Sequence, residues 1–107
     1  MSLSKYDTVY NLLLEVEQYR EKFTNEQQSF LKAMREKEVS KQGWKRYRDC
    51  QALFSTADKY LSQAHMEALT AVKRPTLKSI NKINHNLEMF DQSWQNARQW
   101  ALIGALS

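Results

Sequence analysis

The sequence predicts an all-α protein of three long amphipathic helices folded up-down-up, and three observations carry that prediction. Only two Gly and one Pro occur among 107 residues, far fewer than the hairpins of a β-rich fold consume. Apolar residues make up 42% and charged residues 26% of the chain, a balance that supports a packed core and argues against disorder. In each third of the chain the apolar residues also recur at every seventh position, the pattern that turns one side of a helix toward a neighbour.

In the first third, Val9, Val16, Phe23 and Phe30 form one row, with Leu12, Tyr19 and Ala33 on the row beside it. Ser4 followed by Asp7 suits an N-cap with a carboxylate in the first turn, where the helix dipole favours negative charge. The stripe keeps its phase past Thr24-Asn25 through Phe30 and Met34, so a helix is expected over about 4–40, roughly 55 Å long at the standard rise. Gly43 then reads as the left-handed residue that closes this helix and makes the first turn.

A second helix is expected over about 44–73. Its rows are Tyr47, Phe54, Leu61 and Ala68 on one side and Cys50, Ala57, Ala64 and Ala71 on the other. The second row is almost all alanine, which permits close approach of a neighbour or leaves room for a bulky side chain. Pro75 disfavours helical geometry at Arg74 and opens a third helix over about 76–105. Ile80, Leu87, Trp94 and Ala101 form one of its rows, and Ile83, Phe90, Ala97 and Gly104 the other. Phe90 and Trp94 are natural partners for the alanine row. Residues 1–107 are therefore expected to form a single helical domain, an antiparallel bundle. The same periodicity also fits a long helical hairpin that completes its core by dimerisation.

The longest apolar run, Trp100 to Leu106, is far short of the ~20 residues of a membrane-spanning helix. The first residues lack the basic start and apolar core of a secretory signal. Cys50 is the only cysteine, which excludes an intrachain disulfide and a cysteine zinc cluster. These features point to the cytoplasm.

Catalytic and metal-binding constellations are not found. His65 and His85 lie far apart in sequence and neither has a carboxylate three residues before it, so helical ligand spacing is missing. Two glycines outside any phosphate-binding pattern supply no nest of backbone amides. Cys50 sits on an apolar row between Tyr47 and Phe54, where a thiol behaves as a small buried hydrophobe. No enzymatic activity, cofactor or metal is expected.

Charge is unevenly distributed. Residues 1–40 carry six basic and seven acidic groups, whereas residues 41–75 carry seven basic and three acidic ones. Lys41, Lys45, Arg46 and Arg48 cluster with Trp44 and Tyr47 around the first turn, and cations interleaved with aromatics suit phosphates and stacked bases. Ion pairing with Glu36, Glu38 and Asp49 is the simpler account of the same residues. Lys73, Arg74, Lys78 and Lys82 make a second basic group at the second turn, at the opposite end of an antiparallel bundle.

The last turns carry Trp100, Leu102, Ile103 and Leu106 largely outside the seam defined by Ile80, Leu87 and Trp94. Apolar residues around most of a helix's circumference mark a contact with another chain, or a segment folded over the bundle's base. The expected role is that of a helical assembly or adaptor protein whose partner is another protein or a second copy. The alternative is a nucleic-acid-binding accessory protein that uses the basic aromatic turn over 41–48. A membrane-surface role ranks third, because basic helical faces attract anionic lipids.

Overall fold

Each helix begins where a hydroxyl side chain accepts a backbone amide that the helix itself leaves unpaired. A computed structural model describes residues 4–36 and 39–100 and contains three helices, α1 (Lys5–Glu36), α2 (Lys41–Ala71) and α3 (Leu77–Trp100). Ser4 caps α1, accepting the Asp7 amide at 3.1 Å and donating to the Asp7 carboxylate at 2.9 Å. Thr76 caps α3, accepting the Ser79 amide at 3.1 Å.

Ser40 caps α2, and this corrects the expected first boundary. Its backbone is extended, at φ −62° and ψ 165°, and its hydroxyl accepts the Gly43 amide at 3.2 Å. An extended residue cannot continue α1, so α1, described over Lys5–Glu36, does not reach Ser40, and α2 starts at Lys41 rather than 44. Gly43 is consequently a buried residue of the first turn of α2, not a left-handed terminator. The C-terminal closure of α1 includes a bond from the Val39 amide to the Met34 carbonyl at 3.5 Å, the i→i−5 pattern common at helix ends. The expected end of α3 near 105 lies outside the described residues.

The expected rows form the core. Val9, Val16 and Phe23 of α1, Cys50, Phe54, Ala57, Leu61, Ala64, Ala68 and Ala71 of α2, and Ile80, Ile83, Phe90, Trp94 and Ala97 of α3 are all buried. Phe23 meets Phe90 and Trp94 edge-on, at ring distances of 5.5 and 5.8 Å, and Phe54 at 6.2 Å. Edge-to-face pairs bring the positive ring edge to a negative face, worth about 0.5–1.5 kcal/mol each beyond area burial.

The pairings establish the up-down-up course. Glu17 lies against His65, Arg20 against Asp58, and Phe30 against Tyr47, so α2 descends as α1 rises. Tyr19 packs on Phe90 and Glu26 pairs with Arg98, so α3 rises with α1. The alanine row lets α2 and α3 approach most closely, while α1 stands farther off from both. The bundle measures 53 × 22 × 19 Å with a radius of gyration of 16.6 Å, against about 13 Å for a near-spherical chain of this length. Elongation leaves much surface for little core.

Candidate binding surfaces

Two charged clips tie α1 to its neighbours. Arg98 donates to both carboxylate oxygens of Glu26 at 2.6 Å, and its guanidinium lies 3.9 Å from the Trp94 ring centre. The Glu26 hydrogen bonds raise the Arg98 pKa, burial opposes them, and the negative charges of Glu26 and Asp91 add to the rise. Arg20 pairs with Asp58 and donates to the Ser62 hydroxyl at 2.7 Å. Neither clip stood out in the sequence, because their partners are separated by 72 and 38 residues. The available signal was only that Arg20 and Arg98 follow Val16 and Trp94 by one helical turn.

Below the Arg20 clip an open groove of about 550 Å³ separates the second half of α1 from the first half of α2. Gln27, Gln28, Leu31, Tyr47, Gln51 and Asp58 are among its lining residues. Of its two titratable groups, Asp58 is paired with Arg20 and the Tyr47 ring packs against Phe30. Among the described residues no group of three His, Cys, Asp or Glu side chains is placed to hold a metal ion. Cys50 is buried, and burial, reinforced by the charge of Asp49, pushes its thiol pKa up. That favours the unreactive thiol over the thiolate. His65 Nε2 lies 4.0 Å from Glu17 Oε1.

The basic turn is divided between surface and interior. Lys41, Lys45 and Arg48 follow one another by four and three residues, which puts them on one side of α2, and all three are exposed. Among the described residues these three form no ion pair within 4 Å, and Glu36 instead meets Lys32 at 3.9 Å. Arg46 is part-buried. Trp44 and Tyr47 are also part-buried, Trp44 edge-on to Tyr47 at 5.9 Å and Tyr47 against Phe30 at 5.5 Å. The cations therefore face solvent while the aromatic rings contribute to packing between α1 and α2.

Of the apolar tail, Trp100 is 53% exposed at the end of α3, and Leu102, Ile103 and Leu106 lie outside the described residues.

An apolar surface not singled out in the sequence borders the α1–α2 seam at its other end. Tyr10 precedes Glu17 by seven residues and so shares its side of α1. Leu69 follows His65 by four and shares its side of α2. Because Glu17 faces His65, Tyr10 and Leu69 edge the same seam, and they are 56% and 49% exposed. Tyr6 and Leu14, one turn on either side of Tyr10, are exposed as well. The helical spacing of 6, 10 and 14 was legible, but these residues fall off the heptad rows.

Among the described residues no helix is long and apolar enough to cross a membrane. Compared with known proteins, the chain matches no family model, no curated protein and no solved structure.

Proposed function

We propose that this chain is a non-enzymatic helical assembly or adaptor protein of the cytoplasm, which docks a helix of another protein or of a second copy along the α1–α2 seam. The observation that carries this role is the exposed stripe Tyr6, Tyr10 and Leu14 on α1, bordered by Leu69 on α2. Side chains at i, i+4 and i+8 present a continuous apolar edge to a helix lying alongside. Contiguous exposed apolar patches on small proteins mark contact surfaces, whereas scattered single residues do not. The stand-off of α1 from α2 and α3 supports the same role, since a fourth helix would cover surface that three leave open. The single cysteine, Cys50, is a free thiol, as cysteines are in a reducing compartment.

A photo-crosslinking side chain in place of Tyr10, compared with one in place of exposed Gln63, tests this role in the cells that make the protein. A discrete crosslinked product at position 10, absent from position 63 and reduced by Leu14→Glu, is expected. Sedimentation of the purified protein then separates a second copy from another protein as the occupant. No discrete product at position 10 would remove the support for this surface.

The face of Lys41, Lys45 and Arg48 favours nucleic acid as the second reading. With Trp44 and Tyr47 engaged in packing, it would offer charge to phosphates without base stacking, a non-specific mode.

A further inference from the structure

The α2–α3 turn and the start of α1 form one end of the bundle, since Val9 of α1 packs in one cluster with Ala71 and Ile80. We propose that this end is a docking tip for an anionic lipid surface, with Leu77 and Val72 seated among headgroups and acyl chains while Lys73, Arg74, Lys78 and Lys82 engage lipid phosphates and carboxylates.

Two independent features meet here. The first is apolar exposure at a convex place: Val72 and Leu77 flank the turn, Leu77 is 62% exposed, and Tyr6 is exposed at the start of α1. A helical partner needs a groove, whereas protruding apolar side chains on a turn suit a deformable interface. Tyrosine and leucine beside lysine is also the composition that settles at the water–hydrocarbon boundary. The second feature is charge. Residues 4–14 and 66–86 hold five cations, Lys5, Lys73, Arg74, Lys78 and Lys82, against the two carboxylates Asp7 and Glu67. Asp7 is engaged by the Ser4 hydroxyl, and among the described residues none of the five cations forms an ion pair within 4 Å. Lys78 and Lys82 share with Leu77 and His85 a shallow, open depression on the outer face of α3, so charge and apolar surface are continuous.

The tip shares Tyr6 with the α1–α2 seam but otherwise uses different side chains, and the two are separable by experiment. The full chain is sedimented with vesicles of phosphatidylcholine alone and with vesicles containing phosphatidylserine. Binding to the anionic vesicles, weakened by salt and near absent on neutral ones, is expected. Each cation near an anionic surface strengthens binding about fivefold, so Lys73→Gln with Arg74→Gln should weaken it about 30-fold. Leu77→Ser should weaken it further, while Leu14→Gln, which leaves the charge of this end as it is, should leave it unchanged even where it weakens docking on the seam. In a Cys50→Ala background, an environment-sensitive dye at Leu77→Cys should shift to the blue on anionic vesicles, and the same dye at Gln63→Cys should not. Circular dichroism melts confirm that each variant folds. Equal binding to neutral vesicles, no binding to anionic ones, or insensitivity to the double Gln variant would overturn the proposal. Capture of polyglutamate by a protein that ignores anionic vesicles would overturn it in favour of an acidic polypeptide.

Discussion

Replacing Phe23 with Ala tests whether α1 belongs in the cleft between α2 and α3. The Phe23 side chain is buried and its ring touches Phe54, Phe90 and Trp94, one ring bridging all three helices. Removing a buried phenyl group returns about 150 Å² of apolar contact to a void or to water, or about 4 kcal/mol at ~25 cal/mol per Å². Large-to-small core substitutions of this kind cost about 3–5 kcal/mol, a large share of the ~5–15 kcal/mol that holds such a domain. Phe23→Leu keeps most of the area and loses the edge-to-face geometry, so about 1–1.5 kcal/mol is expected there. Urea unfolding followed by circular dichroism and by tryptophan fluorescence measures both variants, and of the three tryptophans Trp94 touches the site. Because α2 and α3 approach each other most closely, amide exchange in the Ala variant should accelerate in α1 before it does in the α2–α3 hairpin. A loss below about 1 kcal/mol for Phe23→Ala, or uniform acceleration in all three helices, would refute the placement of α1.

Ala64 is fully buried in the cluster that holds Phe90 and Trp94, so Ala64→Leu should overpack the α2–α3 contact and cost about 1–3 kcal/mol in urea unfolding. A change of a few tenths would place that row at the surface. Stability should also fall on the alkaline side. Burial, then the Asp49 charge, raises the Cys50 thiol above its ordinary value of 9.0, so above about pH 9 the unfolded chain releases its proton first and gains stability relative to the fold. The contribution is complete below that pH and declines above it by at most about 1.4 kcal/mol per pH unit. Cys50→Ala should flatten the decline between pH 9 and 10, as read from melts at fixed ionic strength, and an unchanged slope would contradict the burial of the thiol. Combined Ala substitutions at Lys41, Lys45 and Arg48 should leave the melting temperature unchanged or slightly raised, because cations in the first turns of α2 oppose its dipole. The wild-type chain should bind duplex DNA no more tightly than ~10⁻⁶ M by fluorescence anisotropy. Selective submicromolar binding that the triple variant abolishes would establish the nucleic-acid alternative instead.

The number of helices, their amphipathic rows and nearly all of the core were legible in the sequence, because a seven-residue apolar spacing is a local property that any core-facing helix must show. Val16 and Phe23, Ala57 and Ala64, and Ile83 and Phe90 could be placed from spacing alone. The first turn was misplaced because glycine favours a helix end only where its backbone turns left-handed, and at Gly43 the extended backbone of Ser40 had already made the turn. Only the tertiary structure decided which charges meet. Glu26 with Arg98 and Arg20 with Asp58 depend on the relative rotation and height of helices, which no single helix encodes. It also decided which apolar side chains stay outside. Alanines draw α2 against α3, and α1 stands farther off from both. Tyr10 and Leu69 border the open α1–α2 seam, and Leu77 stands out at the α2–α3 turn.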